Sequence, residues 1–227
     1  MARLLVSVRT AEEARRALAG GAAIIDVKEP ANGPLGRASF DTWDEVRRAL
    51  PAGLEMSVAL GELTEWLGDD PPAVPPGALT GIRYLKVGMA GVGPSWEEEW
   101  FALSERLEAR RIRWIAVAYT DWKAAGAPSP TTLLNAGFPF RGVLFDTWDK
   151  SRPAVWTPEL LDAAEAFRDR GATVAVAGGL TVDRLDEIAP IRPDIVAVRG
   201  AACEDGDRDR VVDAARVAGL AALARRL

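Results

Sequence analysis

The chain has 227 residues, 48% of them hydrophobic, and a formal net charge of −5. That length suits one domain or two small ones, and that apolar fraction supplies a sizeable core. Charges of both signs are interspersed without a basic stripe, which argues against a nucleic-acid surface, and no apolar run approaches a membrane span.

The N-terminus, "MARLLVSVRTAEEARRA", reads as a first strand and helix rather than a signal peptide. A single cysteine, Cys203, excludes an internal disulfide framework and fits a reducing cytosol, so a cytoplasmic location is expected. There is no histidine. That removes the commonest metal ligand, the usual general base and any Ser-His-Asp triad, leaving acid–base chemistry to Asp, Glu, Lys or Tyr. Lys and Arg together number 28, of which only four are lysines: Lys28, Lys86, Lys123 and Lys150.

In chain order, short Val- and Ile-rich runs alternate with amphipathic stretches. The strand-like runs are "RLLVSV" (3–8), "AIIDVK" (23–28), "LEMSVAL" (54–60), "RYLKVGM" (83–89), "RWIAVAY" (113–119), "RGVLFDT" (141–147), "ATVAVAG" (172–178) and "DIVAVRG" (194–200). Their length and apolar content suit buried parallel strands. Between the first two lies "TAEEARRALAGG", with Thr10 as N-cap and Gly20 as C-cap. "SWEEEWFALSERLEARR" puts acids in its first turn and arginines in its last, as the helix dipole favours. Trp96 and Trp100 on one face of this helix are expected to pack locally. "TPELLDAAEAFRDRG" and "TVDRLDEIAPI" each open on a threonine cap, and "DRVVDAARVAGLAALARRL" reads as one long amphipathic helix. The third unit, "GELTEWLGDDPPAVPPGALTG", is rich in Pro and Gly, so a short or irregular helix is expected there.

Eight strand-then-helix units predict an α/β fold, a (β/α)8 TIM barrel formed as a single domain over residues 1–227. A doubly wound open sheet is the competitor, but its GxGxxG fingerprint is missing after the first strand.

Active sites of such barrels lie at the C-terminal ends of the strands. The second strand ends in Asp26-Val27-Lys28, the fourth carries Lys86, and the sixth ends in Asp146 with Lys150 four residues later. Alternation along a strand places Asp26 and Lys28 on one face. The second, fourth and sixth strands share parity, so their polar residues are expected to converge. One lysine at a strand end is usually solvated or ion-paired. Three lysines and two aspartates on alternate strands point instead to chemistry. Unlike arginine, lysine loses its proton when desolvated or crowded by cations, and its free amine then attacks carbonyls to form Schiff bases. Lys123, in the polar loop "YTDWKAAGAP", keeps the plainer reading.

The loops after the seventh and eighth strands of this fold often hold phosphate. Gly178 and Gly179 in "AVAGGL", and Arg199, Gly200 and Ala201 in "AVRGAA", are the candidates. A tight turn alone also explains Gly178-Gly179. The loop "KEPANGPLGRAS", with Gly33, Gly36 and Arg37, reads as a further phosphate loop or as a lid.

Taken together, "DVKEPANGPLG", "YLKVGMAGV", "LFDTWDKS", "AVAGGL" and "VAVRGAACEDGDR" resemble the (5-formylfuran-3-yl)methyl phosphate synthase family of methanofuran biosynthesis, also called 4-(hydroxymethyl)-2-furancarboxaldehyde-phosphate synthase. The resemblance runs from the first strand to the final helix. It implies a lyase without cofactor or metal that converts two molecules of glyceraldehyde 3-phosphate. It implies Lys28 as the Schiff-base lysine, Lys86 as proton acceptor, and Asp146 and Lys150 as further site residues. The Trp-rich "WDKSRPAVWTPE" and the Pro-rich third unit depart from the family's pattern. The expected partner is a small triose phosphate, with no nucleic acid or membrane, and a homo-oligomer is possible. The rival readings are another Schiff-base aldolase of sugar phosphates, a non-catalytic sugar-phosphate binder, and an oligomer subunit using its tryptophans as contacts.

Overall fold

A computed structural model gives the fold, and describes residues 1–68, 70–109, 112–136 and 140–227. Eight parallel strands close into a barrel in chain order: β1 (Arg3–Val8), β2 (Ile24–Val27), β3 (Glu55–Glu62), β4 (Ile82–Gly88), β5 (Arg113–Tyr119), β6 (Gly142–Asp146), β7 (Thr173–Val176) and β8 (Ile195–Val198), with β8 pairing back to β1. The expected (β/α)8 barrel is what the chain forms. All eight apolar runs are strands, displaced at their ends by at most two residues.

Seven α-helices join them among the described residues: α1 (Ala11–Ala19), α2 (Phe40–Ala49), α3 (Trp96–Arg106), α4 (Trp122–Ala125), α5 (Pro130–Asn135), α6 (Pro158–Asp169) and α7 (Ala214–Ala224). None is long and apolar enough to cross a membrane. The hydroxyls of Thr10, Ser39, Ser129 and Thr157 each accept an N–H three residues on and so start α1, α2, α5 and α6. Gly20 caps α1, and α3 ends at Arg106; the arginines at 110 and 111, read from sequence as part of its last turn, lie outside the described residues.

Two units differ from the sequence pattern. "TVDRLDEIAPI" forms a 3-10 stretch, Val182–Ile191, whose interior includes Pro190, a residue that cannot donate an α-helical bond. The final helix starts only at Ala214, because Val212 forms an antiparallel bridge with Cys203 and Asp213 becomes the N-cap. The third unit is short and irregular as expected: among its described residues it has a 3-10 turn, Leu63–Trp66, and no α-helix. There β3 carries a bulge between Ala59 and Glu62, with Gly61 at φ 83°, a left-handed conformation natural to glycine.

Two apolar layers follow from strand alternation. One lies between sheet and helices and includes Trp43, Trp96, Trp100 and Phe145. Trp96 and Trp100 do pack locally, with Trp100 against Trp114 and Phe140. The other layer fills the barrel interior. Its side chains are unequal in size: β5 contributes Ile115, Val117 and Tyr119, whereas β7 and β8 contribute Ala175, Ala177 and Ala197, with Ile195 at the start of β8. The interior is therefore filled toward β5 and hollow at the C-terminal ends of β7 and β8.

Candidate active site

The hollow side opens as a cavity of about 360 Å³ at the C-terminal ends of the strands. Lys28, Lys86, Asp146 and Lys150 all line it, together with Ser7 and the loops after β7 and β8. The expected convergence of β2, β4 and β6 is thus present. Asp26 lies beneath, fully buried; its Oδ2 accepts from Lys86 Nζ at 2.7 Å and from Ser7 Oγ at 2.8 Å. Strand register explains the cluster, since Ser7 pairs with Asp26 and Asp26 with Ser57 across β1, β2 and β3. Asp146 Oδ1 accepts from Lys150 Nζ at 2.6 Å and from the Thr147 N–H at 2.8 Å.

Two of the three cavity lysines thus hold a carboxylate each. Lys28 does not. Among the described residues its ammonium donates only to the Pro34 carbonyl, at 3.4 Å, and it is only 7% exposed. Burial, and after it the Lys150 charge, bring the Lys28 pKa down to about 7, with Lys86 adding to the effect and Asp146 and Asp26 opposing it. At Asp146 burial opposes ionisation, but Lys150 and Lys28 outweigh it and hold the carboxyl below its ordinary value.

The loop over residues 30–37 folds back on Lys28. The Glu29 N–H donates to Gly36 O at 2.8 Å, and a Cβ on Gly36 would lie 2.1 Å from Glu29 O, so only glycine fits. Arg37 stacks its guanidinium over Phe40 and Trp66, at 5.2 and 5.7 Å from the ring centroids. This loop is a packed flap whose arginine is committed to aromatic rings. Lys123 rests over the Trp122 ring, in keeping with its plainer reading.

Gly178 and Gly179 line the cavity at φ 93° and 66°. A Cβ on either would crowd Ala154 or Pro153, so the close approach of the loop after β6 accounts for both glycines. Gly200 and Ala201 line the cavity as well. They open a short 3-10 turn, whose first N–H groups have no carbonyl within it.

Arg199 departs from expectation. It is buried, and its five N–H donors are spent inside the protein: on Glu13 twice, and on the carbonyls of Ser7, Arg208 and Arg210. No donor remains for a ligand, so this side chain does not serve as the phosphate-binding cation read from the sequence. Glu13, also buried, is fixed in turn by α1, whose third position it occupies.

Residues beyond the sequence reading also belong here. Ser7 was legible as a polar residue in phase with Leu5 on β1. Arg208 lines the cavity from the loop after β8. On the filled side, the Tyr119 hydroxyl donates to Glu62 Oε1 at 2.5 Å, and the Ala90 N–H donates to Glu62 Oε2 at 2.8 Å. Burial raises the Glu62 pKa despite both bonds, and burial together with Glu62 raises that of Tyr119. Gly88 makes room for this carboxylate, since a Cβ there would meet Glu62 Oε2 at 2.1 Å.

Comparison with known proteins places this chain in a family. Among solved structures, phosphoribosyl anthranilate isomerase from Thermotoga maritima superposes with a TM-score of 0.65 at 17% identity over all of both chains, and thiamine phosphate pyrophosphorylase from Pyrococcus furiosus with 0.63 at 16% over 99% of this chain and 96% of that one. At such identities the likeness is one of fold. Sequence relatives are nearer. The (5-formylfuran-3-yl)methyl phosphate synthase of Methanocaldococcus jannaschii is 32% identical over 226 residues, covering 91% of this chain and 92% of the relative. That of Methanopyrus kandleri is 33% identical over 223 residues, covering 92% of each. A putative (5-formylfuran-3-yl)methyl phosphate synthase of Methylorubrum extorquens is 30% identical over 220 residues, covering 95% of this chain and 89% of the relative. The family profile described as 4-HFC-P synthase matches residues 4–221, nearly the whole barrel, and the chain therefore belongs to the 4-HFC-P synthase family of enzymes.

Proposed function

We propose that this enzyme joins two molecules of glyceraldehyde 3-phosphate into (5-formylfuran-3-yl)methyl phosphate through a Schiff base on Lys28. The observation that carries the reading is the contrast among the three cavity lysines. Lys86 and Lys150 are neutralised by Asp26 and Asp146, while Lys28 is buried without a carboxylate partner among the described residues, and burial with the Lys150 charge brings its pKa down to about 7. Near neutral pH a large fraction of it is free amine, the form that attacks a carbonyl.

Atoms balance without an oxidant or reductant. Two trioses supply the six carbons of the product, and one phosphate and two waters leave. Lys28 Nζ attacks the aldehyde carbon and one water departs as the iminium forms. The iminium withdraws electrons from the neighbouring C–H, whose proton passes to a base. Lys86, held by Asp26, and Asp146, held by Lys150, are the groups placed to exchange protons with an adduct in this cavity. The enamine carbon so formed attacks the carbonyl carbon of the second triose, which makes the carbon–carbon bond, regenerates the iminium and leaves the carbonyl oxygen to take up a proton as a hydroxyl. Phosphate and water then leave by elimination and ring closure, each with its bonding electron pair, and hydrolysis of the iminium takes back one water and frees Lys28, for a net loss of one phosphate and two waters. The phosphoryl group lies toward Gly178, Gly179, Gly200 and Ala201, whose backbone lines the far wall.

Borohydride trapping with glyceraldehyde 3-phosphate, followed by peptide mass mapping, tests this. A reduced adduct on Lys28, with phosphate released in untrapped reactions, is the expected result. An adduct on Lys86 or Lys150 reassigns the roles, and an adduct without phosphate release indicates an aldolase. No adduct with binding intact leaves a sugar-phosphate binder.

The trapping rate also has a definite pH dependence. It rises about tenfold per pH unit below the Lys28 pKa and levels off above it, with the bend near pH 7. Removing the Lys150 charge, as in Lys150→Met, lets Lys28 hold its proton more tightly, so the bend moves to higher pH. Asp146→Asn removes a stabilising anion and moves it lower. A bend that stays put in both variants refutes the electrostatic account of Lys28.

A further inference from the structure

We infer that Arg208 is the side chain that grips the substrate's phosphoryl group, and that Arg199 is the positioning residue that holds Arg208 in place. The inference rests on the reading of the cavity as a triose-phosphate site and names the cation that reading lacks. Arg208 lines the cavity beside Gly200, and a Cβ on that glycine would lie 3.7 Å from the Cβ of Arg208. The Arg208 side chain is half-buried, and among the described residues its guanidinium has neither a carboxylate nor a carbonyl partner. Its neighbour Asp207 also lines the cavity but folds its carboxylate back onto the Asp209 N–H at 2.9 Å. An unpaired guanidinium in a ligand cavity is suited to a phosphate, whose oxygens match its planar fork.

The backbone around Arg208 is held from below. Arg199 Nε donates to the Arg208 carbonyl at 2.9 Å, and Arg199 Nη2 to the Arg210 carbonyl at 3.0 Å. Arg199 is itself locked by Glu13. The Cys203–Val212 bridge clips the base of the loop, and Gly200 lacks the Cβ that would push on Gly206 O, 3.0 Å away. One buried arginine thus orients a half-buried one, and the loop reaches the cavity with a fixed backbone and a cation unpaired among the described residues.

The test compares wild type with Arg208→Met and Arg208→Lys. Calorimetric titration with inorganic phosphate reads the site without any covalent step. Arg208→Met is expected to weaken phosphate binding about 10- to 100-fold, with Arg208→Lys in between. The preference for glyceraldehyde 3-phosphate over unphosphorylated glyceraldehyde, read as a ratio of borohydride-trapping rates, should fall by a similar factor. Phosphate binding and aldehyde preference unchanged in Arg208→Met overturn the assignment. The two readings fail separately. No adduct in the wild type removes the Schiff-base function while the calorimetry still judges Arg208, and a normal wild-type adduct with an indifferent Arg208→Met removes Arg208 alone. For Arg199, Arg199→Lys should weaken phosphate binding less than Arg208→Met does. Loss of fold stability without any change in phosphate affinity would refute its positioning role.

Discussion

Lys28→Arg is expected to abolish the borohydride adduct and to lower turnover by at least about a thousandfold. The substitution keeps a cation at the end of β2 and keeps a donor for the Pro34 carbonyl. What it removes is the ability to lose a proton, because guanidinium stays charged at any pH the fold survives. Lys86→Arg and Lys150→Arg provide the contrast. In each, the partner carboxylate, Asp26 or Asp146, keeps a cationic neighbour. The adduct on Lys28 should therefore still form while later proton transfers slow. Mass mapping of trapped protein and a phosphate-release assay on the three variants separate these cases. A Lys28→Arg protein that retains turnover would sink the Schiff-base mechanism outright.

The largest loss of stability is expected from Arg199→Met. The change leaves Glu13 as a buried carboxylate without its main partner, and it strips a donor from the carbonyls of Ser7, Arg208 and Arg210. Breaking a buried pair from one side costs about 3–5 kcal/mol. For a chain of this size that lowers the melting midpoint by roughly 10 °C. Replacing both partners, as in Arg199→Met with Glu13→Leu, should recover part of the loss, since no charge is then stranded. Thermal unfolding of the single and double variants decides it. A single variant that melts with the wild type would show that the pair carries no net structural weight.

How much of this was legible in the sequence depends on range. The strands were legible because each is a short apolar run, and the candidate-site cluster because period-two alternation places Asp26 and Lys28 on one face and Lys86 and Asp146 on strands of the same parity. The helix starts at Thr10 and Thr157 were legible from local capping chemistry. The misreadings came where a distant partner decides. The last helix loses its first turn to a bridge with Cys203, and Pro190 holds the preceding stretch in 3-10 form. Arg199 looked like a ligand because it follows β8 in the phosphate-loop position, yet its partner Glu13 lies 186 residues earlier. With Arg199 spent on Glu13, the arginine that lines the cavity unpaired among the described residues is Arg208, nine residues on. No local pattern reports that exchange, nor the meeting of Glu62 with Tyr119 across the barrel mouth.

The uneven filling of the barrel interior separates reactivity from capacity. The lysines and their carboxylate partners stand at β2, β4 and β6, while room in the cavity comes from methyl side chains at Ala177 on the β7 edge and Ala197 on β8. Changes of one or two carbons at those alanines resize the chamber without touching any charge that sets the lysine chemistry. Under the proposed Schiff-base reaction, a lineage built on this barrel can therefore drift in the bulk of the substrate it admits while the setting of Lys28 stays the same, so descendants should diverge in appetite sooner than in chemistry.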